Sequence, residues 1–208
     1  MSIDVIGIDF DNTIICYDEL FFDLACEQNL IDKTVRPIKK DVRDAIRRAS
    51  NGEMNWQKLQ ALVYGPMIHR AKLFEGMKNF LVFCREHAVK VVVVSHKNQY
   101  AAQDETKCDL RAAALRFLQQ QGILDEKAYG LSAKNVFFEP TRKEKIERII
   151  QLECDIFVDD LTETFLEDDF PGNIQKVLFN PYQESCNLDS CLSVSGWDEV
   201  TAWLKAKV

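Results

Sequence analysis

The stretch IGIDFDNTI, residues 6–14, starts as a buried β-strand and then places two carboxylates, Asp9 and Asp11, one residue apart. In an open α/β sheet, ligands bind at the carboxyl ends of the parallel strands. Carboxylates packed together at such an end repel one another unless a cation neutralises them. The stretch therefore predicts the first strand of a sheet and a functional site at the end of that strand.

Further apolar runs are typical of strands, and helical patterns lie between them. Strands are predicted at residues 3–10, 90–94, 135–138, 155–158 and 176–179. Helices are predicted at residues 77–87, 107–121, 142–152 and 197–205. The alternation of the two kinds of pattern predicts an α/β fold with a Rossmann-like, doubly wound parallel sheet.

The segment between the first two predicted strands is too long for a simple crossover, and its pattern is helical. Helix candidates lie at residues 41–49 and 55–63. Asn51-Gly52 marks the break between them. We interpret residues 17–75 as a small all-helical cap inserted into a catalytic core of residues 1–16 and 76–208. The alternative is that these helices are structural and pack on the sheet.

The composition limits the partners and the compartment. The net charge of −7 argues against a nucleic-acid backbone as the main partner. No apolar run approaches the roughly 18 residues that a membrane span needs, and the first residues lack a signal-peptide pattern. The seven scattered cysteines form no CxxC pair and favour a reduced, cytoplasmic protein. The sequence makes no prediction of the oligomeric state.

Two other predicted strands also end in polar groups. Ser95, His96 and Lys97 follow the strand at 90–94, and Asp159-Asp160 follows the strand at 155–158. Mg²⁺ binds through a few carboxylates and leaves room for a substrate phosphate. One carboxylate can then act as the nucleophile while the next transfers protons. The strand ends together predict a magnesium site for phosphate chemistry.

These stretches resemble the motifs of the haloacid-dehalogenase-like superfamily, over nearly the whole chain. Residues 9–13, Asp-Phe-Asp-Asn-Thr, resemble its first motif, DxDxT, and the strand that ends in Ser95 resembles the second. A lysine at the start of the helix at 142–152 is the third. Residues 157–160, Phe-Val-Asp-Asp, are similar to the fourth in its double-aspartate form. The helical segment at 17–75 lies where the superfamily has its first type of cap.

The resemblance implies a role for each acidic residue. It implies that Asp9 is a nucleophile that forms an aspartyl-phosphate and that Asp11 is the general acid and base. It implies that Mg²⁺ is bound by Asp9, by the backbone carbonyl of Asp11 and by Asp160. It also implies that Ser95 donates a hydrogen bond to the phosphoryl group and that Asp159 orients its neighbour.

Three further residues complete the predicted phosphate-binding site: Asn12, His96 and a lysine of the third motif. Lys143 and Lys145 are both candidates for that lysine. Helical spacing places Lys145 beside the apolar face of its helix and Lys143 towards solvent, so Lys145 is preferred.

The sequence therefore predicts a Mg²⁺-dependent hydrolase of a small phosphorylated metabolite and leaves the substrate open. The alternatives are a 5′-nucleotidase-like enzyme or a phosphomutase with the same site, and a non-catalytic regulatory binding module. Asp11 favours phosphate chemistry, because the dehalogenases of the superfamily lack a second aspartate at this position. No Gly-rich phosphate loop of a common type is present, so ATP or NAD chemistry has no support.

Overall fold

The computed structural model describes residues 3–104, 107–186, 188 and 190–207. By its internal contacts the chain divides into two compact units. The first, here called the sheet unit, consists of Met1–Ile15, Leu73–Lys97 and Gln121–Val208. The second, here called the helical unit, consists of Cys16–Lys72 and Asn98–Gln120.

The described residues form strands, α-helices and short 3₁₀ helices. The strands are β1 Val5–Ile8, β2 Ile15–Cys16, β3 Lys72–Leu73, β4 Lys90–His96, β5 Val136–Glu139, β6 Ile156–Asp159, β7 Gln175–Phe179 and β8 Cys191–Val194. The α-helices are α1 Asp18–Glu27, α2 Lys39–Arg47, α3 Gly52–Tyr64, α4 Met77–Glu86, α5 Leu110–Gln120, α6 Glu126–Tyr129, α7 Arg142–Gln151, α8 Thr162–Phe165 and α9 Trp197–Lys205. Short 3₁₀ helices lie at Ile68–Arg70 and Ala133–Asn135.

The sheet unit contains a parallel sheet with the strand order β5-β4-β1-β6-β7-β8. β1 is central, and the chain first builds outward to β5 and then returns to the other side of β1 for β6. The predicted doubly wound parallel sheet is thereby confirmed. The switch between the two directions brings the carboxyl ends of β4, β1 and β6 side by side, which is where such sheets bind ligands.

Buried side chains fix the sheet against its helices. Val92 and Val94 of β4 lie in one buried cluster with Ile146 and Ile149 of α7. Gly7 in the middle of β1 makes room for the ring of Phe157 in β6, because a Cβ added at Gly7 would lie 2.6 Å from that ring. A larger residue at position 7 would therefore force the buried ring of Phe157 to shift, in the strand that leads to Asp159 and Asp160.

The helical unit is built around an aromatic core. Phe21 of α1 stacks on Trp56 of α3 with ring centroids 4.8 Å apart. The rings of Tyr17 and Tyr64 pack edge-on against Phe21 and against each other. α5 packs against α3 and the 3₁₀ helix of the same unit. The sequence places this helix in the core of residues 76–208, but in the structure residues 98–120 belong to the helical unit.

Crossing a bilayer requires a helix that is both long and apolar. Among the residues that the structure describes, no helix combines the two properties.

Candidate active site

Asp9 lies directly after β1 and is almost fully buried, with 4% of its surface exposed. Its backbone N–H donates to the carbonyl of Val158 in β6 at 2.9 Å, so residue 9 continues the strand pairing. A residue held in the ladder has a fixed backbone, and its side chain has a fixed direction. The predicted nucleophile therefore lies on a rigid strand end.

Lys145 connects Asp9 to β6. Its Nζ donates to Asp9 Oδ1 and to Asp159 Oδ2, each at 2.6 Å, and the side chain is only 2% exposed. The start of α7 is fixed by Thr141, whose Oγ1 accepts from the N–H of Glu144 at 3.1 Å and donates to the carboxylate of Glu144 at 2.6 Å. The structure thus brings Lys145 to the predicted site and leaves Lys143 exposed.

Burial has the largest effect on the pKa values of Asp9 and Lys145, and the charges of their neighbours modify it. Burial raises the pKa of Asp9 to about 7, and Asp159 and Asp11 add to the rise while Lys145 opposes it. Burial lowers the pKa of Lys145, but the carboxylates of Asp159 and Asp9 outweigh this and raise it. Burial therefore disfavours the ionised form of Asp9 even though Lys145 lies beside it.

The two aspartates at the end of β6 have different partners. Asp159 is fully buried, and its two oxygens accept from Lys145 Nζ and from the N–H of Leu161. Asp160 is half-buried and its Oδ2 accepts from Asn12 Nδ2 at 3.3 Å. The predicted phosphate ligand Asn12 thus contacts a predicted metal ligand instead.

Asp11 has a lysine of its own. Lys97 Nζ donates to Asp11 Oδ1 at 2.9 Å and to Oδ2 at 2.7 Å. The side chain of Lys97 is 4% exposed and that of Asp11 is 22% exposed. The carboxylate is therefore held firmly while part of it remains open to solvent.

Ser95 and His96 follow each other on β4 and point in opposite directions, because side chains alternate along a strand. Ser95 is 1% exposed, and its Oγ has no hydrogen-bond partner among the residues that the structure describes. His96 is exposed, and its ring donates to the carbonyl of Pro140. The prediction that His96 binds phosphate alongside Ser95 is thus not supported by its position, since Lys97 and not His96 shares the face of Ser95.

The acidic groups fit a divalent cation. Carboxylate oxygens of Asp9, Asp159 and Asp160 lie within 4.8 Å of one another. Together with Asp11 these side chains carry four carboxylates, against the two ammonium groups of Lys97 and Lys145. The excess of two negative charges equals the charge of one Mg²⁺, and oxygen is the ligand that this ion prefers.

Solved structures share this architecture. A haloacid-dehalogenase-like family hydrolase from Xanthomonas campestris superposes with a TM-score of 0.56 at 11% identity, covering 99% of this chain and 96% of that one. A HAD-type hydrolase from Bacillus subtilis bound to magnesium superposes with a TM-score of 0.55 at 12% identity, covering 98% and 99%. The chain therefore shares its fold with these two haloacid-dehalogenase-type hydrolases.

The structures that share this fold are not all named for the same chemistry. A dehalogenase is among the similar structures, with a TM-score of 0.58 at 12% identity and 97% coverage of both chains. From sequence alone, no family model and no curated protein matches the chain. The likeness to these solved structures shows the fold alone, so the reaction has to be inferred from the side chains of this particular site.

Proposed function

We propose that the protein is a Mg²⁺-dependent phosphohydrolase that acts on a small phosphorylated metabolite. One observation carries this proposal: a buried Asp9 bound by Lys145 and, two residues later, a partly exposed Asp11 bound by Lys97. A phosphohydrolase needs one carboxylate to attack phosphorus and a second one to move protons. The sequence resemblance implies that dehalogenases lack this second carboxylate.

In the first step Asp9 forms a bond to phosphorus while the bond between phosphorus and the leaving oxygen breaks. Asp11 supplies the proton that the leaving oxygen takes. In the second step water attacks phosphorus, Asp11 takes a proton from the water, and the Asp9 carboxylate is released together with inorganic phosphate. Lys145 remains beside Asp9 throughout and offsets its negative charge.

The environment of the Ser95 hydroxyl is a further argument for a phosphoryl group beside Asp9. Its Oγ is buried without a hydrogen-bond partner among the described residues. Leaving a buried donor without a partner costs about 1–3 kcal/mol. A phosphoryl oxygen would accept this hydrogen bond, so substrate binding would remove the penalty.

Asp9, Asp160 and the backbone carbonyl of Asp11 would hold the metal. Both oxygens of Asp159 already accept hydrogen bonds, so Asp159 would orient the neighbouring metal ligands and not bind the metal itself. When bound, Mg²⁺ supplies positive charge to the oxygens of the transferring phosphoryl group.

We also propose that the helical unit is the cap that selects the substrate. The chain passes into this unit after Ile15 and again after Lys97. Each of these two crossings therefore lies within a few residues of a side chain that we place in the reaction, namely Asp11 on the first segment and Ser95 on the second.

The reaction itself is tested by release of inorganic phosphate. With Mg²⁺ present, we expect release from at least one member of a panel of sugar phosphates, nucleoside monophosphates and aryl phosphates. Excess chelator should abolish the release, and added Mg²⁺ should restore it. Full activity in excess chelator, or no release from any phosphate monoester, would contradict the proposal.

The hydrogen bond from Asn12 to Asp160 gives a prediction for metal affinity. Asn12 has a φ of 58°, in the left-handed region, so Asn12→Gly keeps the backbone and removes the donor. We expect Mg²⁺ to bind about 10-fold or more weakly, because partners that orient a metal ligand contribute on the order of 10–100-fold. Titration calorimetry of Mg²⁺ into the metal-free protein measures this.

Asn29→Gly is the matched control, because Asn29 has nearly the same φ of 55° at an exposed position. It should bind Mg²⁺ with the affinity of the wild type. An unchanged affinity in Asn12→Gly would show that this hydrogen bond does not orient the metal ligand.

A further inference from the structure

Lys97 is fixed at both ends. Its backbone N–H donates to the carbonyl of Glu139 at 2.9 Å, which keeps residue 97 in the ladder with β5. Its Nζ donates to both oxygens of Asp11 and lies 5.2 Å from the centre of the Phe10 ring. A buried side chain held in this way restricts the Asp11 carboxylate to one orientation.

We propose that Lys97 is a positioning residue for the second half of the reaction, in which Asp11 takes a proton from the attacking water. The inference rests on the proposed phosphohydrolase function and adds a role that Ser95, Lys145 and the metal ligands do not fill. An ammonium group positions the ionised form of a carboxylate, and the ionised form is the one that accepts a proton. Each carboxylate oxygen has two lone pairs, so an oxygen that accepts from Nζ is able to accept from water as well.

The step balances without a further reactant. The water oxygen forms a bond to phosphorus, and the bond between phosphorus and the Asp9 oxygen breaks. One water proton passes to the Asp11 carboxylate and the other remains on the phosphate that departs. Asp9 returns to its ionised form beside Lys145.

Electrostatic repulsion between the carboxylates explains why Asp11 needs a lysine other than Lys145. The Nζ of Lys145 is already shared between the carboxylates of Asp9 and Asp159. Without Lys97, the negative charge around Asp9 and the phosphoryl group would push the Asp11 carboxylate away from the attacking water. Misplacing a catalytic group by about 1 Å lowers the rate by about 100-fold.

The test is Lys97→Met, which keeps most of the side-chain volume and removes the charge. With an aryl phosphate that has a good leaving group, we expect a rapid burst of product equal to the enzyme concentration. Phosphate should then accumulate on Asp9, and kcat should fall about 10–100-fold. Because breakdown becomes rate-limiting, kcat should be the same for aryl phosphates with different leaving groups.

Two further variants serve as controls for Lys97→Met. Lys97→Arg keeps a charged donor and should recover part of the breakdown rate. Lys90→Met replaces an exposed lysine on the same strand and should behave as the wild type. A wild-type kcat in Lys97→Met, or a lower kcat without a burst, would overturn the inference.

The double variant Asp11→Asn/Lys97→Met removes both charges and stays measurable even if Lys97→Met alone does not fold. If Lys97 acts through Asp11, the double variant should lose its phosphoryl group at the same rate as Asp11→Asn. A further tenfold loss would overturn the inference. A wild-type protein that forms no phosphorylated Asp9 and releases no phosphate would instead reject the proposed function.

Discussion

Asp9→Asn is expected to reduce phosphate release to the background rate, a loss of at least about 10⁴-fold. The amide has the shape of the carboxylate but is too weak a nucleophile to form the covalent bond to phosphorus. Substrate binding should largely survive, since Ser95 and Lys145 remain in place. The measurements are steady-state phosphate release at saturating Mg²⁺ and rapid quench followed by peptide mass analysis.

We do not expect the loss of activity in Asp9→Asn to result from unfolding. Burial and neighbouring carboxylates raise the pKa of Asp9, so its ionised form is unfavourable in the folded protein. Replacing it by a neutral amide should leave the thermal midpoint close to that of the wild type. Asp168→Asn, at an exposed position, serves as the control and should keep full activity. More than a few per cent of wild-type turnover in Asp9→Asn would remove Asp9 from the role of nucleophile.

Asp11→Asn is expected to slow turnover on the order of 10²–10⁴-fold, the range of general acid and base catalysis. Its effect should depend on the substrate. Alkyl phosphates need a proton on the leaving oxygen and should lose the most in the first step. Aryl phosphates with good leaving groups need none, so their first step should remain fast and only the attack by water should be slow.

With such an aryl phosphate, Asp11→Asn should therefore accumulate the phosphoryl group on Asp9. Rapid quench and peptide mass analysis would locate the label. Wild-type enzyme under the same conditions provides the reference and should hold less label at steady state. Label on Asp11 or on Ser95, or an equal loss for alkyl and aryl substrates, would show that the roles of the two aspartates are assigned wrongly.

Local pattern predicts most of the sheet. The continuous run Val91–Val94 can be buried on both faces, so it indicates a strand of a parallel sheet without any knowledge of its neighbours. β8 is not predicted, because its four residues include Ser193 and lack such a run. The assignment of α5 to the helical unit depends on its contacts with α3, and those contacts have no local signal in the sequence.

In the site, the helical period of the sequence favours Lys145 over Lys143 as the lysine that reaches the carboxylates. In the structure Lys145 is buried and Lys143 is exposed. The sequence groups Lys97 with His96 as neighbours after Ser95. The period of two along a strand is the signal that distinguishes them, because it places Lys97 on the face of Ser95. That Lys97 binds Asp11 follows only from the three-dimensional structure.

The position of α5 affects how this protein can be divided for engineering. In the sequence, residues 17–75 look like one continuous insertion. In the structure, part of the apolar core of the helical unit comes from a second stretch of chain, residues 98–120. A cap exchanged at 17–75 alone would carry its own aromatic cluster into the new host and leave behind the helix that covers α3. Recombination between relatives would preserve this unit only if both stretches were inherited together.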